Sequence, residues 1–376
     1  MTAEKVPFLD LSPQTREVGP EFLTAAAELV EGNQFIGGRA VAEFEREFAA
    51  YCQAESCVAL NSGTDALRLA LLAGGIGPDD EVVTSPFTFI ATTEAISQVG
   101  RLVLADVDPR TFTLSAESLE AGISSTTRAV VPVHIFGLPA DMASIQAVSS
   151  SHDLVVVEDA CQAHGAAIAG RKVGSFGDGA AFSFYPSKNL GAFGDAGALT
   201  SNDTSFSERV RLLRNHGQTE LYTHVIEGYN SRMDALQARL LSLKLRRVEA
   251  WNQERRRLVD IYRDELSGIE ALRFQHVPDG FRHVYHVLAV LSDERDALVE
   301  HLRERGVDVR IIYPTPIHLM EAYRHLGLGR GDFPQAEKVC DEVLCLPLYP
   351  GLSTDAVARV AAEIRAFFGV SSRSGA

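Results

Sequence analysis

The chain has 376 residues, of which 46% are hydrophobic, and this is enough for one large globular domain and a smaller one. Its formal net charge of −15 argues against nucleic acid or a membrane surface as a partner, and five cysteines without a CxxC pair indicate neither a disulfide framework nor a metal site. Because neither an apolar signal core nor a run of about 18 apolar residues occurs, we expect a cytoplasmic protein.

Seven short apolar segments alternate with helical stretches in the first part of the chain. They predict strands at residues 57–60, 81–84, 102–105, 129–133, 154–158, 179–184 and 196–200. Strands that alternate with helices build a mostly parallel sheet with helices on both faces. The sequence therefore predicts an α/β fold.

A long helical pattern, from about residue 229 to residue 265, follows the last of these strands. Beyond it we predict a second, smaller α/β domain from a strand at 284–291, a helix at 292–305, a strand at 307–312 and a helix at 354–368. We place the boundary between the two domains after residue 245. Residues 1–245, including the N-terminal segment, form the predicted large domain, and residues 246–376 form the small one.

Residues 61–67, NSGTDAL, follow the first predicted strand and open a helix with apolar positions at 66, 67, 70 and 71. The free backbone N–H groups and the dipole at a helix N-terminus bind phosphate, and Gly63 would allow a phosphate to approach closely. An ordinary Ser/Thr helix cap has the same pattern, so both interpretations stay open.

Two carboxylates, Glu158 and Asp159, end the buried strand predicted at residues 154–158. Ligands of open α/β sheets bind at the carboxyl ends of the strands. A carboxylate at that position can keep a pyridine nitrogen protonated. Helix capping or an ion pair is the more ordinary role of such an Asp.

A single lysine, Lys188, follows the apolar run at residues 179–184 and precedes a loop rich in glycine. An amine beside a tight apolar loop suits Schiff-base chemistry, because desolvation lowers the pKa of the amine and leaves it free to attack a carbonyl. A solvated surface lysine is the alternative. The succession of a phosphate site, a strand-end acid and a loop lysine favours the chemical interpretation.

Several polar rings also lie just beyond predicted strands. His134 and His164 could each contact a ligand or be buried side chains with internal partners. Tyr313 and His318 belong to a proline-containing loop, YPTPIHL, and could hydrogen-bond a polar substrate. We predict His134, Tyr313 and His318 as substrate-binding residues, with a structural role as the alternative.

Four segments, NSGTDAL, EDACQAHGA, FSFYPSKNLG and GYNSRMDALQA, together resemble the DegT/DnrJ/EryC1/StrS family of sugar aminotransferases. The resemblance extends from about residue 6 to residue 368 and implies the fold of aspartate aminotransferase, fold type I of the pyridoxal-phosphate enzymes. It implies a sheet of seven-stranded type flanked by helices, with pyridoxal 5′-phosphate as cofactor. The sequence departs from the family at Ser187 and Ala196, where glycine is usual.

The resemblance also implies a role for individual residues. Lys188 and Asp159 match the catalytic residues, namely the Schiff-base lysine and the partner of the pyridine nitrogen. The cofactor-binding set implied by the family is Gly63, Thr64 and Ser183 at the phosphate, Phe89 stacked on the ring, Gln162 near the hydroxyl, Asp159, Lys188 and Asn230. Asn230 matches an asparagine that reaches the cofactor phosphate of the neighbouring subunit, which implies a homodimer.

We accordingly expect an enzyme that transfers an amino group from L-glutamate to a nucleotide-linked keto sugar. The YPxPxHL pattern resembles members of the family that act at carbon 3 more than those that act at carbon 4. Transamination of a cyclitol ketone and a non-catalytic regulatory role are the alternatives. A sugar dehydratase of the same fold would have histidine in place of Lys188.

Overall fold

The seven strands predicted between residues 57 and 200 form one sheet in the computed structural model, which describes residues 5–370. The strands of the described chain are β1 Ser56–Leu60, β2 Glu81–Thr84, β3 Arg101–Leu104, β4 Thr127–Val131, β5 Val155–Asp159, β6 Ala167–Ile168, β7 Arg171–Lys172, β8 Gly179–Ser183, β9 Gly197–Ser201, β10 Gln218–Glu220, β11 Thr223–His224, β12 Arg273–Phe274, β13 Phe281–Arg282, β14 Leu288–Leu291 and β15 Val343–Leu346. The helices are α1 Ser12–Glu31, α2 Gly38–Cys52, α3 Gly63–Ala73, α4 Ile90–Ser97, α5 Ala116–Gly122, α6 Met142–Ser151, α7 Thr204–Leu213, α8 Ala235–Leu245, α9 Val248–Glu265, α10 Arg295–Glu304, α11 Pro334–Glu342 and α12 Thr354–Phe367.

The large sheet has the strand order β1-β9-β8-β5-β4-β2-β3. Strand β9 runs antiparallel to both of its neighbours, whereas β8, β5, β4, β2 and β3 are parallel to one another. This mostly parallel sheet confirms the predicted fold class. It also gathers the carboxyl ends of β5 and β8 at one edge, where the predicted acid and lysine follow their strands.

Successive residues of the central strands enter different hydrophobic cores. Ala180 and Phe182 of β8 pack against α2 and α8, while Ala181 between them packs against α3. In β5, Val156 and Val157 are likewise divided between two cores. Because both faces of the sheet are covered, these strands are apolar at nearly every position.

Another hydrophobic core lies in the C-terminal part of the chain, around the antiparallel sheet β12-β14-β15. Helices α9, α10 and α12 cover this sheet. Val6 also belongs to this core and pairs with Val307. Val6 therefore packs with the small-domain core, whereas α1 packs against α8 of the predicted large domain. The boundary after residue 245 stays a proposal.

Two predicted elements of this region differ from the structure. The helical pattern up to residue 265 is divided into α8 and α9, because α8 packs into the large-domain core and α9 into the small one. The strand predicted at residues 307–312 is replaced by isolated bridges of Val307 to Val6 and of Arg310 to Cys345. The two bridges involve different partner segments, so no continuous ladder forms.

Between residues 5 and 370, no helix is both long enough and apolar enough to cross a membrane. The cytoplasmic location stays a prediction.

Candidate active site

One cavity of ≈ 400 Å³ opens at the carboxyl ends of β5 and β8. Apart from Asn230, every residue predicted to bind the cofactor lines it, namely Gly63, Thr64, Phe89, Asp159, Gln162, Ser183 and Lys188. Tyr313 enters from the small domain and lines the same cavity. Side chains from at least four separate parts of the chain therefore meet where sheet topology places a ligand.

Lys188 lies in a tight turn just beyond β8. The turn is closed by a hydrogen bond from the backbone N–H of Lys188 to the carbonyl of Tyr185, 2.8 Å long. A Cβ at Gly191 would lie 2.3 Å from the carbonyl oxygen of Pro186, so the loop after the lysine requires glycine there. The Nζ atom makes no hydrogen bond or ion pair with residues 5–370 and lies free in the cavity.

The surroundings of Lys188 also favour its uncharged form. Burial lowers the pKa of the amine, and the nearby Cys161 and Asp159 counteract this only in part. A free amine has the lone pair that attacks a carbonyl. The nucleophilic role of Lys188 stays a prediction, which this geometry permits.

Asp159 ends β5, with 6% of its surface exposed. Its Oδ2 accepts a hydrogen bond of 2.7 Å from the hydroxyl of Thr92, and its Oδ1 accepts one of 3.2 Å from the backbone N–H of Cys161. Within the described chain it forms no ion pair and caps no helix, which removes both ordinary roles considered above. A buried carboxyl group is thereby held in a fixed orientation at the cavity wall.

The N-terminus of α3 forms another wall of the cavity. The Oγ of Ser62 caps this helix by accepting a hydrogen bond from the backbone N–H of Asp65, while the N–H groups of Gly63 and Thr64 have no partner within residues 5–370. A Cβ at Gly63 would lie 2.7 Å from the Sγ of Cys161 and 2.8 Å from the Cβ of Ser183. The helix end packs directly against β8, and its unused donors can receive an anion.

Gln162 and Tyr313 are joined across the domain boundary. The Oε1 of Gln162 accepts a hydrogen bond from the backbone N–H of Phe136, and its Nε2 donates one of 3.1 Å to the phenol oxygen of Tyr313. Burial raises the pKa of Tyr313, so the phenol stays protonated and can donate into the cavity. The ring of Phe89, which also lines the cavity, is 54% exposed and lies 6.0 Å from that of Tyr313.

Two of the predicted substrate-binding residues lie outside this cavity. His134 is fully buried, with Nε2 3.0 Å from the carboxylate of Glu158 and Nδ1 accepting from the backbone N–H of Ala140. His318 is also buried, and its Nε2 lies 3.1 Å from the carboxylate of Glu337. Neither ring lines the cavity and each has an internal carboxylate partner, which favours the structural alternative, although Nδ1 of His318 has no partner in the described chain. Their role in substrate binding stays a prediction.

Sequence reasoning also missed residues that line the cavity, among them Thr92, Cys161, Tyr185 and His286. Thr92 orients Asp159, but a threonine on a helix carries no distinctive signal. His286 lies just before β14, in the other domain, so nothing local to its segment points to the large-domain cavity.

His164 is buried among aromatic rings, with its centroid 5.5 Å from those of Phe182 and Phe184. Neither ring nitrogen has a hydrogen-bond partner within the described chain. Burial lowers the pKa of His164 to about 3. The ring therefore stays neutral in the folded protein.

We expect this burial to make the protein sensitive to acid. Between pH 6.5 and pH 3 the unfolded chain takes up a proton at His164 that the folded chain does not, so stability falls as the pH falls, by up to about 1.4 kcal/mol per unit. Denaturant unfolding at pH 6.5 and pH 4.5 should show that His164→Leu loses about 2 kcal/mol less stability than the wild type over this interval. Equal losses would show that His164 is protonated in the fold.

The sequence matches known proteins over nearly its whole length. The model of the DegT/DnrJ/EryC1/StrS aminotransferase family matches residues 16–365. The chain is 41% identical to the UDP-N-acetyl-3-dehydro-α-D-glucosamine 3-aminotransferase of Acidithiobacillus ferrooxidans, covering 96% of this chain and 97% of that protein. It is 42% identical to the erythromycin biosynthesis sensory transduction protein EryC1 of Saccharopolyspora erythraea, covering 96% of this chain and 99% of that protein.

The fold matches solved structures equally well. The crystal structure of DesV from S. venezuelae in complex with a ketimine intermediate superimposes with a TM-score of 0.95. It is 40% identical in sequence, and the match covers 97% of this chain and 99% of that chain.

Proposed function

The chain belongs to the DegT/DnrJ/EryC1/StrS aminotransferase family, and we propose that it moves an amino group from L-glutamate to the carbonyl carbon of a nucleotide-linked keto sugar. It is a pyridoxal-phosphate-dependent aminotransferase. One observation carries the proposal: a free lysine amine, a buried carboxylate and unused helix N–H donors line a single cavity. This is the set of groups that an amine-transferring cofactor requires.

The residues of the cavity fit that cofactor. The free N–H groups of Gly63 and Thr64, with the hydroxyl of Ser183, would hold its phosphate. Asp159 would lie at its ring nitrogen, and Phe89 would cover a face of its ring. Gln162, whose amide is fixed by Phe136 and Tyr313, would contact the ring oxygen. When bound, the cofactor supplies a carbonyl that condenses with amines and a ring that stabilises negative charge on the neighbouring carbon.

The protein's own groups then have distinct tasks. Lys188 would hold the cofactor through its amine and, as a free amine, would take a proton from the α-carbon of the donor. Asp159 keeps a negative charge beside the ring, with its orientation fixed by Thr92. Tyr313 presents a protonated phenol to the substrates. The same groups act in reverse order when the keto sugar receives the amine.

We favour a 3-keto sugar as acceptor. The loop that carries Tyr313 has the YPxPxHL pattern described above, and the relative from A. ferrooxidans is named as a 3-aminotransferase. The shape of the pocket decides the nucleotide and the stereochemistry.

A substrate panel tests this proposal. We expect the holoenzyme with L-glutamate to release 2-oxoglutarate in the presence of at least one 3-keto sugar linked to dTDP, UDP or GDP, and to release less with the 4-keto sugars. Products are identified by mass spectrometry and NMR. If a cyclitol ketone is aminated and no nucleotide sugar is, the cyclitol alternative replaces ours. Absence of 2-oxoglutarate with every acceptor would favour a regulatory role, in keeping with the name of the S. erythraea relative.

We further propose a homodimer whose cavities are completed by Asn230 of the opposite subunit. The side chain of Asn230 is exposed, does not line the cavity of its own chain, and makes no hydrogen bond with residues 5–370. The nearby β10–β11 hairpin exposes Leu221 and Tyr222 by 75% and 85%. Exposed apolar side chains beside an unpartnered polar group support a contact with a second copy.

Mixing two inactive variants tests the exchange of Asn230. Lys188→Ala removes the amine, and Asn230→Asp places negative charge against phosphate. If Asn230 acts across the interface, each heterodimer has one doubly altered site and one intact site, so a re-equilibrated equal mixture regains about a quarter of wild-type activity. As control, Lys188→Ala mixed with Asp159→Asn should regain nothing, since both residues line the cavity of their own chain. Lack of recovery in the first mixture as well, or a monomer by light scattering, would overturn the proposal.

A further inference from the structure

A histidine of the small domain, His286, lines the cavity that also contains Lys188. Its backbone is fixed on both sides, because its N–H donates to the carbonyl of Phe136 and its carbonyl accepts from the buried Arg255. None of the roles proposed for the other residues of the cavity involves this ring.

A chain of hydrogen bonds fixes which nitrogen of His286 carries the proton. The chain begins at the backbone carbonyl of His164, which can only accept and receives a bond of 2.8 Å from the Nδ2 of Asn252. The Oδ1 of Asn252 must then face Asn189, and it accepts a bond of 2.8 Å from the Nδ2 of that residue. The same Nδ2 donates to the carbonyl of Val284, which confirms the orientation of the Asn189 amide.

The Oδ1 of Asn189 consequently faces His286, with the Nδ1 of the ring 3.3 Å away. An amide oxygen only accepts, so Nδ1 carries the hydrogen. Burial lowers the pKa of His286 well below its ordinary value, and the positive charge of Arg255 acts in the same direction. The ring is therefore neutral, and its Nε2 has a lone pair and no proton.

This Nε2 has no hydrogen-bond partner among the residues that the structure describes, and it is not one of their fully enclosed unpartnered atoms. The cavity thus contains a neutral acceptor whose orientation is set by groups behind it. A keto sugar brings hydroxyl groups, which are neutral donors. An acceptor that cannot switch to a donor distinguishes a ring position that carries a hydroxyl from one that lacks it.

Resting on the proposed function, we propose that the Nε2 of His286 accepts a hydrogen bond from one hydroxyl of the sugar and so selects acceptors that carry it. The competing possibility is that Nε2 accepts from the Lys188 amine, which would affect the reaction with both substrates. His286 is then a specificity residue in the first case and a partner of the lysine in the second.

Two substitutions of similar size distinguish the contribution of the Nε2 atom from that of the rest of the His286 ring. His286→Asn keeps an amide where Nδ1 contacts Asn189 but does not extend to the position of Nε2. His286→Gln extends to that position and offers an amide oxygen there. Equal cofactor loading and far-UV circular dichroism of the two variants and the wild type establish that all three are folded.

The test measures binding of the nucleotide-linked amino sugar, the product identified in the substrate panel, to each holoenzyme by calorimetry. We expect His286→Asn to weaken binding about five- to tenfold and His286→Gln to restore most of it. One analogue of the product, lacking a single ring hydroxyl, should bind the wild type and His286→Asn equally. Stopped-flow absorbance with L-glutamate alone should change by less than about twofold in both variants.

The proposal is overturned if every analogue lacking one hydroxyl still binds the wild type more tightly than His286→Asn by the same factor as the product does. It is also overturned if both variants bind the product with the affinity of the wild type. A slowed reaction with L-glutamate overturns it in favour of the contact with Lys188. Failure of the proposed function is seen separately, because the wild type would then aminate no nucleotide sugar.

Discussion

Replacing Lys188 with alanine is expected to abolish transamination and to leave the fold intact. The amine acts both as the covalent attachment point and as the group that moves the proton, so no other side chain of the cavity can compensate. The substitution removes no hydrogen bond of the described chain, since the turn is held by the backbone of Lys188 and not by its Nζ. The unfolding midpoint should therefore stay close to that of the wild type.

Lys188→Arg is the matched control, because it keeps a positive charge and a long side chain but supplies no nucleophilic amine. Borohydride reduction followed by peptide mass spectrometry should attach the cofactor to the peptide containing Lys188 in the wild type and in neither variant. Both variants should release 2-oxoglutarate at background rates. Turnover near the wild-type level in either one would remove Lys188 from the mechanism.

The large sheet could be predicted from the sequence because its strands are buried on both faces. In β8 and β5 consecutive residues enter opposite cores, so the strands are continuous apolar runs that end at polar turns. Lys188 and Asp159 each follow such a run. Their place at the strand ends was therefore available from the sequence, and parallel topology brought them together.

The locations of the histidines could not be predicted from the local sequence pattern. His134 and His286 both follow or precede a strand, but one is buried against Glu158 and the other lines the cavity. The difference depends on long-range packing, since the partner of His134 lies on β5 and the cavity around His286 belongs to the other domain. Periodicity describes which face a residue occupies, but it does not describe what covers that face.

The small domain was predicted less completely for a similar reason. Its sheet contains β15, which we did not predict, and the segment at residues 307–312 pairs at single positions only. Val6 completes the core from the far end of the chain. Contacts between segments this distant in sequence leave no local pattern.

Asp159→Asn is expected to lower turnover by about 100-fold or more, with little change in stability. The amide has the same size, and the hydroxyl of Thr92 can accept from it instead of donating, so the packing around position 159 is preserved. The substitution removes the negative charge of the Asp159 carboxylate at the end of β5, and no other group supplies a charge at that position. A fixed charge in a water-poor site contributes far more to a transition state than it would in water.

The variant Thr92→Val distinguishes the effect of the Asp159 charge on activity from the effect of the orientation of its carboxylate. This variant removes the donor to Oδ2 but leaves the carboxylate, so a loss of about two- to tenfold in kcat/KM is expected. Rates of both half-reactions, measured with L-glutamate and with the keto sugar, should fall together in Asp159→Asn because the same charge serves both. Equal losses in the two variants would mean that Asp159 contributes through its hydrogen bonds, and wild-type rates in Asp159→Asn would exclude any role for its charge.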